Sequence, residues 1–494
     1  MNEASKDPPP RRRPGRPPHV RLGRMLRALL HGGWRAVRDV EPEFWRNLRD
    51  ELLAGRQWAD RAVVLVFAGI TGLVVVGFTL LAEAAVHAFL MLGELGPWGR
   101  FLALVWTPAV TVAVLWWARR FVPATMGSGI PQVVRALDDT LHESQRSWLV
   151  SLKVSLHKIG LVSAGLLGGL SIGREGPTVQ VGAGVMLHAR RWLSPQSGID
   201  AHDLMVAGAA AGIAAAFNTP LGGIVFALEQ LSRRRGISHS SLVIASIVLA
   251  GLVAVAVFGN ETYFGRLRVQ ELPWSLLWPG LMVVLVAGLA GGLFARLIVV
   301  SVRGLPDRYS RWRASHPYRF AAGCALAVAV IGLATGGATA GAGYATTKAL
   351  LEGQAELPGV YTLLKFCATW LSAWTGVPAG VFAPSLAIGA GIGHDVALLT
   401  GVGKEAAIPL IALGMVAFLA ATTGGPITAF IIVMEMVSGH AMVLSLMASA
   451  LLASGVARLV TRPMYQELAD ILRLPEVPGA SATGAPSGSS APRP

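Results

Sequence analysis

The sequence predicts an all-α polytopic membrane protein, and three observations carry that prediction. The 494 residues are 53% hydrophobic and only 14% charged, against about 25% charged in ordinary soluble domains. Mean hydropathy is +0.55, with 58 glycines. Several apolar runs reach the roughly 17–20 helical residues needed to cross a hydrocarbon core, most clearly Ala62–Leu92, Ser241–Phe258, Trp274–Val302 and Ala441–Ala457. These runs show no alternation of apolar and polar residues, so the spanning elements are helices and not barrel strands.

Each run takes its direction from the charge around it. A net charge of +14 would suit a nucleic-acid binder, but the positive residues cluster in Met1–Arg56, at Arg119-Arg120, at Arg233-Arg234-Arg235 and across Arg303–Arg319. Lys and Arg mark cytoplasmic loops. With the N-terminus inside, Ala62–Leu92 exits to a short turn and Phe101–Ala118 returns to Arg119-Arg120. Ser241–Phe258 leaves from Arg233–Arg235, and Trp274–Val302 brings the chain back to Arg303–Arg319. Every basic cluster then faces the same side, and no nucleic-acid partner is expected. The Pro- and Arg-rich start carries no cleavable leader pattern. Residues 1–60 are expected as a basic cytoplasmic segment, disordered to about 24, and 474–494 as a disordered tail, leaving one membrane domain over 61–473 with no room for a further soluble module. Cys324 and Cys367 sit in apolar stretches and read as small buried residues.

An internal repeat organises that domain. Gly173, Pro177, Gly182 and Gly184 return as Gly380, Pro384, Gly389 and Gly391, each 207 positions later. Gly208–Glu229 parallels Gly414–Glu435, with Gly, Pro and Glu matched at an offset of 206. Halves of approximately 61–258 and 274–473 follow. Transporters commonly place the substrate where broken helices of two such halves meet.

Three Gly/Pro breaks interrupt the apolar sequence: Gly127-Ser128-Gly129-Ile130-Pro131, Gly173-Arg174-Glu175-Gly176-Pro177 and Gly380-Val381-Phe382-Ala383-Pro384. Each permits close backbone approach and then starts a helix, because Pro suits a first helical turn. A helix start offers unpaired N–H groups and the positive end of the macrodipole. Several converging at membrane depth would hold a dehydrated anion without a fixed cation that binds too tightly for passage. Glu175 is the most informative side chain, since a carboxylate inside the membrane is expensive unless it has a function or a partner. An ion pair with Arg174 is disfavoured because adjacent helical residues do not face each other.

These three motifs, with a late tyrosine in Pro463-Met464-Tyr465, resemble in order and spacing the signature elements of the CLC family of chloride channels and exchangers, over roughly residues 60–473. The resemblance implies an inverted-repeat architecture of many tilted and broken helices, and a homodimer in the bacterial inner membrane with an anion pathway in each subunit. It implies chloride as the transported ligand, protons as a second one, and no cofactor or metal. Carried over by motif, Ser128 and Tyr465 resemble the hydroxyls that donate to the central anion, with Gly129 and Ile130 beside the serine. Amides around Gly173, Arg174, Glu175 and Gly176, and around Val381 and Phe382, would complete the coordination. Deprotonated Glu175 would occupy the anion site; protonated, it would leave, acting as gate and proton carrier. Serine at 128 resembles chloride-preferring members more than nitrate-preferring ones, and the motifs depart from the fluoride-selective branch.

One departure bears on mechanism. Many exchangers carry a Glu pair whose second member relays protons from the cytoplasm, and here the pair is Glu229-Gln230. Glutamine holds no proton in the usable range, so Glu229 or a water chain would have to substitute. Gln132, where the family often has Glu, is a lesser departure. Exchange and passive, voltage- or pH-gated conduction therefore both stay open, the compact form favouring exchange. A transporter for larger organic anions is less favoured, since the three breaks contain a single Arg. An intramembrane enzyme would need paired catalytic groups. Gly169-Leu170-Ser171-Ile172-Gly173 matches GxSxG without the strand–turn–helix context, His142-Glu143 has no His at 146, and no two of the eleven histidines lie within four positions. Gly401-Val402-Gly403-Lys404 lacks P-loop spacing.

Overall fold

Backbone groups inside a bilayer have to be satisfied within the chain, and here helices do so. The computed structural model describes residues 55–232, 236, 239–259, 262–265, 274–354 and 359–476. The basic residues before 55, the stretch expected as disordered to about 24, Arg233-Arg234-Arg235 and the tail beyond 476 lie outside the described residues. The chain divides into Met1–Arg61 and Ala62–Pro494. Of the first unit only the opening turns of one helix are described.

The first half contains helices α1 (Gly55–Glu94), α2 (Gly96–Phe121), α3 (Ile130–Ala136), α4 (Glu143–Leu149), α5 (Leu152–Leu167), α6 (Glu175–His188), α7 (Ala201–Phe217), α8 (Pro220–Phe226) and α9 (Ser240–Phe258). The second contains α10 (Leu277–Arg303), α11 (Arg308–Ser315), α12 (Pro317–Ala334), α13 (Tyr344–Leu351), α14 (Tyr361–Trp374), α15 (Phe382–Leu399), α16 (Lys404–Thr423), α17 (Pro426–Met436), α18 (Val443–Arg458) and α19 (Met464–Asp470). Among the described residues nine helices are long and apolar enough to span a membrane, and they include all four of the runs clearest in the sequence. Proline opens α2, α8, α12 and α17, where its missing N–H costs nothing. A five-residue π-turn, Ala227–Leu231, extends α8.

Burial sorts the helices into centre and rim. The apolar window of α16 is 89% buried, against 33% for α2, α9 and α12. Every residue of α7 is buried. Rim helices present large apolar side chains outward, among them Leu73, Val105, Trp116 and Leu289, a surface suited to lipid.

The repeat has a packing cause. α6 crosses α7 at Gly182 and Gly208, where a Cβ on either residue would strike the other's carbonyl. α15 crosses α16 at Gly389 and Gly414 with the same mutual exclusion. Both crossings use the matched positions, and small residues let helix backbones approach that closely.

The helix ends repeat too. Glu229 Oε1 and Oε2 accept hydrogen bonds from the Ile427 and Thr428 amides at 3.1 and 2.7 Å, the free N–H groups that open α17. Its mate Glu435 accepts from the Leu221 and Gly222 amides of α8 at 3.2 and 2.7 Å. Each half therefore caps a helix of the other, with the negative charge placed at the positive helix end.

Candidate functional site

The three breaks meet. Gly173 and Gly380 form an antiparallel bridge, their amides donating to each other's carbonyls at 2.7 and 3.0 Å. Gly127 pairs with the 377–379 strand segment, donating to the Val377 carbonyl at 3.3 Å and accepting from the Ala379 amide at 3.1 Å. A Cβ on Gly380 would fall 2.7 Å from the Gly173 carbonyl oxygen and 2.8 Å from Pro177 Cδ, so a side chain is excluded there. The bridge fixes the starts of α6 and α15 beside each other, and the Gly127 pairing adds the Ser128 loop.

Around this junction three buried side chains lack hydrogen-bond partners: Ser128 through Oγ, Tyr465 through its hydroxyl and Glu175 through both carboxylate oxygens. The Tyr465 hydroxyl faces that of Ser128, and the Glu175 charge lies close enough to act on it. Ser128 Oγ packs onto Gly176, where a Cβ would collide with it. The Glu175 carboxylate folds back against Gly173 and faces the amides of Arg174 and Ala383. Ile130, Val381 and Phe382 are buried, and the Phe382 ring lies 5.4 Å from that of Phe217. A buried polar group without a partner costs about 1–3 kcal/mol. Several of them turned toward two helix starts make a place where a small anion would be stabilised by hydroxyl and amide donors.

Gly129 holds the loop shape. Its φ of +108° favours glycine, and its amide donates to Gln132 Oε1 at 2.9 Å. Gln132 in turn donates to the Met126 carbonyl. The position where the family pattern often has Glu thus carries a neutral brace for the loop.

Arg174 does not pair with Glu175. Its guanidinium donates to Glu83 Oε1 at 3.1 Å and to the Tyr263 hydroxyl at 3.3 Å, and it lines a cavity of about 740 Å³ together with Glu83, Tyr263, Ala342 and Tyr344. This vestibule reaches Gly173 and Arg174, while Glu175 itself is fully buried one residue farther in. Glu229, named with a water chain as a substitute proton carrier, caps α17 with both oxygens engaged. Ser171 of the GxSxG match shares a hydrogen bond of 2.8 Å with Thr369, so its hydroxyl serves helix packing.

Three charged residues around the site escape the sequence reading. Glu83 is an acidic residue within the first apolar run, itself a signal. Lys158 is fully buried and donates to the Thr125 and Gly127 carbonyls, both at 2.7 Å. Lys365, 207 positions later, is fully buried and donates to the Thr339 and Gly341 carbonyls at 2.9 and 2.8 Å. The loops they hold read Thr-Met-Gly-Ser-Gly and Thr-Ala-Gly-Ala-Gly, so the repeat register would have found both lysines.

Comparison with known proteins gives the chain's relatives. The family described as voltage gated chloride channel matches residues 110–458. The H(+)/Cl(-) exchange transporter ClcA of Vibrio parahaemolyticus is 30% identical over 388 residues, covering 74% of this chain and 79% of that protein. The crystal structure of a slow cyanobacterial Cl-/H+ antiporter superposes with a TM-score of 0.68 at 24% identity, covering 83% of this chain and 97% of the other. That of a CLC-type fluoride/proton antiporter gives 0.65 at 22%, with the same coverage. At these identities the two structures show the shared fold alone.

Proposed function

Because the chain belongs to the CLC family of chloride channels and transporters, we propose that it exchanges chloride for protons across a membrane, with Glu175 as the gate. It is a multi-pass membrane protein and not an enzyme; chloride is its transported ligand and no cofactor enters. The observation that carries the proposal is the convergence of Ser128, Tyr465 and Glu175, buried and without partners, at the bridged starts of α6 and α15. Chloride would take the donors of Ser128, Tyr465 and the helix starts, with Gly129, Ile130, Gly173, Arg174, Gly176, Val381 and Phe382 supplying the surrounding backbone. When Glu175 is ionised its carboxylate competes for those donors. When it takes a proton its claim weakens, and anion and proton pass in opposite directions.

Chloride is the preferred anion, since the donors are hydroxyls and amides and Ser128 stands in the loop. The relatives named as H(+)/Cl(-) exchange transporters support proton coupling. Gln230 favours the second reading, passive conduction, because it cannot hold a proton. The transport domain is placed at 61–473, with the N-terminus cytoplasmic from the distribution of Lys and Arg. The bacterial relatives support the bacterial inner membrane, and the family resemblance supports a homodimer. Purified protein in chloride-loaded liposomes, with anion efflux and external pH followed together, tests the reading. Proton uptake against its gradient, driven by chloride, establishes exchange; efflux without proton movement establishes conduction.

A further inference from the structure

A second cavity, of about 30 Å³, lies between α3, α7, the π-turn after α8 and α19. A water needs at least ~10–15 Å³ of such space together with polar partners, so this one has room for about two. Its polar lining is His202, Gln230, Gln466 and Asp470, and α3 with its C-cap adds only the apolar Val134 and Leu137. The lining is graded: Asp470 is exposed, Gln466 is half-buried, and His202 and Gln230 are buried. His202 Nδ1 and Gln230 Nε2 both lack hydrogen-bond partners. Gln230 packs against Gly425, and Gln466 follows Tyr465 directly in α19, so the cavity backs onto the elements that frame the anion site.

We propose that this cavity is the inner proton port of the exchange reaction, and that His202 is the group in it that takes up the proton. The proposal rests on the exchange reading above. Among its four polar side chains, the two amides have no proton to exchange in the usable range, and Asp470 sits at the exposed mouth. The imidazole is the buried member whose ring nitrogens can accept and release a proton, and its Nδ1 has no hydrogen-bond partner. A proton arriving through water in the cavity binds an imidazole nitrogen, giving an imidazolium, and leaves again to the next water. Carboxylates face that ring. Asp203 Oδ1 is 3.8 Å from Nδ1, with Asp200 at the start of the same helix and Asp470 across the cavity. The other Asp203 oxygen, Oδ2, is held by the His239 amide and ring at 3.2 and 2.9 Å.

The test is flux of chloride and protons in proteoliposomes for wild type, His202→Gln, and His202→Gln combined with Gln230→Glu. His202→Gln should still carry chloride, while protons moved per chloride fall about tenfold. That is less than the hundredfold a positioned acid or base can contribute, because water in the cavity still conducts. Gln230→Glu puts a carboxyl into the same cavity and should restore proton movement in the double variant. Coupling in His202→Gln equal to wild type overturns the port and leaves exchange standing. Wild-type chloride efflux without proton movement overturns both. If His202→Gln does not reconstitute, Gln230→Glu alone decides: faster proton movement supports the port, and an unaltered rate overturns it.

Discussion

Glu175 and Phe382 stand 207 positions apart, each at the first turn of a helix whose start is fixed by the same glycine bridge. One half puts a carboxylate there and the other an aromatic ring. Ser128 and Ala342 differ in the same way, on loops held alike by Lys158 and Lys365. By contrast Glu229 and Glu435, the two lysines, the crossing glycines and the helix-opening prolines are alike in both halves, and all of them serve the frame. On the proposed reading, the residues the halves share build the frame, and those that differ at 128 and 175 meet the ion. Two copies of one scaffold thus yield a single asymmetric site.

The most severe way to break this comparison is at the odd residue. Glu175→Gln or Glu175→Ala should leave chloride flux in proteoliposomes and abolish both proton movement and the pH dependence of that flux. Wild-type coupling in either variant would remove Glu175 from the gate. The lysines sharpen the contrast next. Lys158→Met and Lys365→Met each strand two buried carbonyls, at about 1–3 kcal/mol apiece, and should lower thermal stability in detergent by similar amounts. Only Lys158→Met should also weaken chloride binding measured by calorimetry, since only its loop carries the serine. An equal loss of binding in both would place the second loop in the site as well.

Making the first loop like the second is a smaller step. Ser128→Ala, and separately Tyr465→Phe, each remove one donor to the anion. Hydrogen bonds to charged groups contribute about 1.5–3 kcal/mol, so chloride affinity should fall about tenfold in each. A calorimetric Kd equal to wild type would remove that hydroxyl from the coordination. The matched pair supplies the mildest test. Glu229→Gln and Glu435→Gln should each cost about 1 kcal/mol of stability through weakened helix caps, read as a lower unfolding temperature, with proton-to-chloride ratios as in wild type. A changed ratio in Glu229→Gln would return that carboxylate to the proton path.

The helical fold, the repeat and the three breaks are legible in the sequence because each leaves a local mark. Lipid-spanning runs show as hydrophobicity, and the special backbone at 127–131, 173–177 and 380–384 shows as Gly and Pro. The convergence of Ser128, Glu175 and Tyr465 is legible only through the family resemblance, since 337 residues separate the first from the last. The partner of Arg174 is not legible at all. Glu83 lies 91 positions upstream in another helix, and no local pattern joins them. Glu229 shows the converse. Its residue type suggested chemistry, while its cap on two amides of a distant helix has no local mark.

The Gly173–Gly380 bridge contains no ionisable atom. With Glu175 as the proposed gate, acidification would act on the carboxylate, yet it has no handle on the clasp that joins the two helix starts. Ionic strength has little hold on it either, because the clasp is made of neutral dipoles shielded from solvent. On that reading, the part that answers to the medium is separate from the part that ignores it, and the helix starts keep their spacing while the gate changes state.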